Sequence, residues 1–121
     1  MIRNLKIRCQ AEILSPELMV LDDDLKIRLI GVKPIPEKNS EAIKFLKEKL
    51  KGQRVFLKFD NVKYDEENNL LCYLYLWNKT FINAHLFKNG LMDVDITFDY
   101  KYKEKFLEFI YGEGYGAEIL E

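Results

Sequence analysis

The run "LLCYLYLW", residues Leu70 to Trp77, is the strongest constraint on how this chain can fold. Its apolar residues do not alternate with polar ones, so both faces of an extended segment would be covered. That predicts a central strand with neighbours on either side. "QRVFLKFD" just before it alternates, placing Val55, Leu57 and Phe59 on one side. The polar "KYDEENN" between the two reads as a hairpin loop.

The first third also reads as strands. "LKIRCQAEIL" alternates through Leu5, Ile7 and Cys9, then Ala11 and Ile13. "ELMVL" and "LKIRLIGV" flank "DDD", which suits a hairpin turn. Asp22, Asp23 and Asp24 could attract a cation, but three acids at a turn are more often solvated. "NSEAIKFLKEKLKG" predicts a helix capped by Asn39 or Ser40 and stopped by Gly52. Ile43, Leu46 and Leu50 share its apolar face. Lys44, Lys47 and Lys51 lie opposite, on a face that reads as solvated. "FINAHLFKNG" reads as a short helix ended by Asn89 or Gly90. "DYKYKEKFLEFIYGEG" reads as a last helix, with Tyr102, Phe106, Phe109 and Ile110 on its apolar face. Gly112, Gly114 and Gly116 break the chain beyond that helix, and 112–121 is a candidate flexible tail.

The expected order is three strands, a helix, two strands and two helices. It fits a five-stranded OB-type barrel with packed helices, an α+β fold that is mainly β. It also fits a generic α+β arrangement. With 121 residues and no linker or repeat, a single domain over 1–121 is expected. The 19 lysines and arginines nearly balance the 20 acids, leaving a net charge of −1. Bulk charge therefore gives no argument for nucleic acid, although a local cluster can bind it. Cys9 and Cys72 make neither a disulfide framework nor a zinc site and read as reduced, buried thiols. The start of the chain lacks the apolar run of a signal peptide, and no stretch is long enough to span a membrane. A cytoplasmic protein without membrane contact is expected.

Four stretches, in order, resemble the staphylococcal nuclease (thermonuclease) family over roughly Leu18 to Phe109. They are "RLIGV" with a following "PE", "EAIKFLKEKLKGQRVFLKFD", "LLCYLYLW" and "FINAHLFKNGL". The resemblance implies an OB-type barrel with packed helices and calcium-dependent hydrolysis of DNA and RNA phosphodiesters. Such chemistry needs converging carboxylates for calcium, arginines that clamp the phosphate, and a glutamate that positions water.

Carried over residue by residue, the resemblance places the first arginine on Arg28 and the glutamate on Glu37. These are the retained catalytic positions. One metal-binding aspartate falls on Lys33, which should repel calcium. The other falls near Pro16, which has no side-chain oxygen, with Glu17 one residue away. The second arginine falls on Asn69, and no other arginine lies in 61–77. The family's nucleotide-packing tyrosines fall near Ile96 and Phe98.

Both carboxylate ligands and one clamp are thus replaced, so no metal or cofactor is expected. Loss of one charge clamp on a transferring phosphoryl can cost roughly 10³–10⁵ in rate. The resulting expectation is a pseudo-nuclease that binds a protein or a nucleic acid. The acidic loop Asp65-Glu66-Glu67 favours a protein, because it should repel phosphates. Possible binding residues are Lys33, Tyr73 and Trp77, with Tyr75, although core packing suits these aromatics better. Arg28 can also be read as pairing with Glu37 or another acid, and Lys33 as part of a local salt bridge. His85 and Asn83 read as structural. The alternative is an active nuclease with a rearranged site, taking calcium ligands from Glu17, Asp22 or Glu37 and a clamp from Arg28 or Arg54. A purely structural subunit is a third reading.

Overall fold

The computed structural model describes the backbone of residues 2–6 and the whole of residues 11–22 and 24–112. Ile7, Cys9, Asp23, Gly114, Gly116 and the tail beyond Gly112 lie outside the described residues.

The strand at Leu70–Leu76 (β7) is central, as its uniform hydrophobicity predicts. All seven of its residues are buried. It pairs antiparallel with Arg54–Lys58 (β6), where Phe56 faces Tyr75, and parallel with Leu25–Leu29 (β4), where Leu29 faces Cys72. Leu18–Leu21 (β3) and β4 form the hairpin expected around the aspartates. Ile2–Lys6 (β1) pairs with β6, and Glu12–Ser15 (β2) pairs with β3. The order is therefore β1-β6-β7-β4-β3-β2. This six-stranded sheet begins and ends on the amino-terminal segment, an arrangement consistent with an OB-type fold. Of the strand-like stretch "LKIRCQAEIL", residues 5–6 belong to β1 and 12–14 to β2, and 7–10 lie outside the described residues.

Sequence reading missed a two-stranded ribbon. Val32–Pro34 (β5) pairs with Met92–Val94 (β8), with Lys33 opposite Asp93. Three-residue strands, one ending in proline, carry too little periodicity to be recognised.

The first helix, Asn39–Leu50 (α1), follows a 3-10 turn at Pro36–Lys38. Lys38 occupies the cap position and no side chain caps the helix, so the expected Asn39 or Ser40 cap is not used. The buried stripe is Ala42, Leu46 and Leu50 at i, i+4, i+8, leaving Ile43 at its half-buried margin. The second helix, Ile82–Lys88 (α2), packs on β7. The third, Lys103–Tyr111 (α3), buries Phe106 and Leu107, while Ile110 is exposed. Tyr102 and Phe109 pack half-buried against the core, so three of the four expected residues face inward, with Leu107 buried in place of Ile110. Among the described residues, no helix is long and apolar enough to cross a membrane.

Asn83 ties this framework together. Fully buried at the start of α2, it accepts the Leu74 N–H of β7 at 2.8 Å and donates to the Ile30 carbonyl at 2.9 Å. The structural role read for it is the one observed. Cys72 is a free, buried thiol, and burial raises its pKa.

Candidate functional site

Alternation along β4 turns Ile27 and Leu29 into the core and sends Arg28 to the opposite face. There Arg28 meets the turn after β2 and the loop between β6 and β7. Its Nε donates to Asp65 Oδ2 at 2.7 Å. Nη1 lies 3.5 Å from Glu17 Oε2, and Nη2 lies 3.5 Å from Glu67 Oε1. Three carboxylates thus surround one guanidinium. The pairs are unequal, because the Glu67 side chain is 78% exposed whereas those of Glu17 and Asp65 are 17% and 18% exposed. Exposed pairs contribute little. The acids that pair with Arg28 are therefore Glu17 and Asp65, with Glu67 at the rim. Glu37 is exposed on its 3-10 turn.

Asp65 is fixed from behind by its own loop. Oδ1 accepts the backbone N–H groups of Glu67 at 2.9 Å and Asn69 at 2.8 Å, and Oδ2 accepts Asn69 Nδ2 at 2.9 Å. Adding the Arg28 bond gives the carboxylate four donors, close to its full capacity. Burial alone would raise its pKa. The bonds from Asn69, Arg28 and Glu67 outweigh that and hold it at about 2. Asn68 completes the turn in a left-handed conformation with φ 66°. Asn69 is 2% exposed and serves as the strut of this loop. On the other side, the Ser15 hydroxyl donates to Glu17 Oε1, and Pro16 is buried in the turn between them.

The remaining candidates lie apart. Lys33 is exposed on β5 and makes no ion pair among the described residues, so the expected local salt bridge is absent there. Asp22 sits in the β3–β4 turn with φ 51°. Among the described residues, no group of three or more histidines, cysteines, aspartates or glutamates is placed to hold a metal ion. Tyr73 is 1% exposed and donates its hydroxyl to Asp60, which also accepts the Lys101 N–H. Its ring is core, not a stacking platform. Trp77 is 49% exposed, and the Arg54 guanidinium lies 5.2 Å from its ring centre. His85 lies on α2, its pKa lowered by burial and by nearby Lys88 and Lys49. Ile96 is 62% exposed and Phe98 is half-buried.

The acids around Arg28 escaped sequence reading as its partners. The available signal was the acidic loop entering a strand that must lie beside β4. What could not be read was the parallel pairing that puts Leu71 opposite Arg28 and so brings the loop onto the guanidinium.

No curated protein matches the chain. The family model described as staphylococcal nuclease homologue matches residues 26–110, well over half of the sequence, and spans β4 through α3. With this match covering most of the strands and all three helices, the chain belongs to the staphylococcal nuclease homologue family.

Proposed function

We propose that this chain is a nuclease-fold binding module that has lost calcium-dependent phosphodiester hydrolysis and engages a protein or a nucleic acid without cleaving it. The observation that supports this reading is the engagement of Arg28 by Glu17, Asp65 and Glu67. An arginine serves phosphoryl chemistry when its fork is open to the phosphate. Here a phosphodiester anion would have to displace an Asp65 carboxylate that three further donors hold in place, and would meet two further negative charges. Lys33 and Pro16, where the family resemblance puts metal-binding aspartates, offer no carboxylate. Asn69, where it puts the second clamp, is committed to the loop.

Calcium titration by calorimetry, with and without a nucleoside bisphosphate, tests the reading. The expected result is no calcium binding in either arm and no cleavage of single-stranded DNA in calcium. Calcium binding strengthened by the nucleotide, together with cleavage abolished by Arg28→Ala, would overturn it in favour of an active nuclease.

A further inference from the structure

The outer face of β6 and β7 carries positive charge over aromatic rings. Val55 and Leu57 point into the core, so Arg54, Phe56 and Lys58 point outward. Phe56 stacks on Tyr75 at 4.9 Å between ring centres, and Tyr75 stacks on Phe81 at 4.4 Å. Lys58 Nζ lies 5.0 Å from the Tyr75 ring centre, and Arg54 covers Trp77. Neither cation makes an ion pair among the described residues. In a chain whose net charge is −1, this is local asymmetry and not general basicity.

We infer that this face docks an extended acidic segment of a partner protein. Charge complementarity selects an anionic partner. The state of the rings selects carboxylates over bases. Tyr75 is 8% exposed and sandwiched with Phe56 and Phe81, and Trp77 already carries Arg54 on its ring. Base stacking needs open ring faces, whereas the two cations remain available to carboxylates. Arg54 and Lys58 stand four residues apart on one strand, about 13 Å, the reach of carboxylates four residues apart on an extended partner. Trp77 and Arg54 are residue types that anchor protein interfaces. The inference goes beyond the binding-module reading, and the face can dock such a segment whether or not hydrolysis survives at Arg28.

Trp77 is the only tryptophan, so its fluorescence reports on this face directly. The full chain is titrated with a polyglutamate peptide of about ten residues, which spans both cations, and separately with an oligothymidylate. The expected result is a saturable change with the peptide, weakened by added salt. Its apparent affinity falls about tenfold or more in Arg54→Glu/Lys58→Glu and stays within about twofold in the helix control Lys44→Glu/Lys47→Glu. Arg54→Ser/Lys58→Ser repeats the test if charge reversal impairs folding, and amide chemical shifts of β6 and β7 localise the contact independently of Trp77 emission. No saturable change, or an equal loss in the helix control, overturns the proposal. Tighter oligothymidylate binding mapped to the same residues also overturns it and assigns the face to single-stranded nucleic acid. Cleavage of that oligonucleotide in calcium would sink the functional reading above while leaving the peptide titration to decide this one.

Discussion

Arg28 Nε and Asp65 Oδ2 are joined at 2.7 Å across 37 residues of sequence, linking the strand that resembles the nuclease catalytic strand to the loop facing it. The bond changes what the arginine can do. It makes the arginine the anchor of a protein loop, and it sets the loop's acids around the guanidinium.

If anchoring is the role of this pair, the two residues should be energetically coupled. Both side chains are partly buried, at 28% and 18% exposure. A double-mutant cycle of Arg28→Ala and Asp65→Ala, read by urea unfolding, should give a coupling of about 1–2 kcal/mol. Glu67→Ala should leave the midpoint unchanged, since its side chain is largely in water. Coupling near zero would mean that the contact is incidental and that Arg28 is free for another partner.

The same contact sets a pH dependence. Asp65 is held at about 2, below the ordinary aspartate value of 3.8. A depressed carboxyl contributes stability that is fully present above the unfolded value and is lost as pH falls through the folded one. The loss therefore runs from about pH 4 down to about pH 2. It amounts to about 1–2 kcal/mol once solvent screening at the rim is allowed for. Asp60 is shifted in the same direction, its burial outweighed by bonds from the Tyr73 hydroxyl and the Lys101 N–H, and adds to the slope. Unfolding free energy measured between pH 5 and pH 2 should fall less steeply in Asp65→Asn than in the wild type. Parallel curves would show that Asp65 titrates normally.

Asn83 carries a different kind of load. It satisfies one backbone donor on β7 and one backbone acceptor after β4, both buried. Asn83→Leu is nearly isosteric and removes both bonds, stranding two backbone groups. The expected loss is about 2–4 kcal/mol, with the far-ultraviolet spectrum retained. Since Ile30 lies two residues beyond Arg28, the variant should also loosen the β4–α2 contact, seen as faster amide exchange at Leu74.

The main architecture was legible because it rests on local patterns. Leu70 to Trp77 has no polar break, the aspartates sit between two apolar runs, and α1 repeats at helical spacing. The parts that escaped are those set by partners distant in sequence. The β5–β8 ribbon pairs two segments far apart in sequence, which three-residue strands cannot announce. The site divides the same way. Lys33, Pro16 and Asn69 could be singled out by position, and Trp77 by type. Arg28 could be read as pairing with an acid, but which acid could not be named, because the parallel pairing of β4 with β7 is what brings Asp65 onto it. Tyr73 looked able to stack on a base, but its hydroxyl is tied to Asp60 and its ring to Tyr102 and Phe106.

Gly31 offers the sharpest test of how the backbone holds the site residues. It links Arg28 on β4 to Lys33 on β5 with φ +81°, a conformation that L side chains rarely adopt. A Cβ there would lie 2.7 Å from Tyr100 Cε2 and 2.8 Å from Phe106 Cε2, inside two buried rings. The rings cannot retreat easily, because the Tyr100 hydroxyl is bonded to the Asp95 carbonyl at 2.6 Å and Phe106 is fully buried. Gly52 supplies the control, with φ +67° and open space around the added carbon. Gly52→Ala should cost about 1 kcal/mol, the conformational term alone. Gly31→Ala should cost about 2–4 kcal/mol, because steric overlap is added. Urea midpoints for the two variants give the comparison directly. Equal losses would mean that the rings yield and that the turn between Arg28 and Lys33 is held by backbone preference and not by packing.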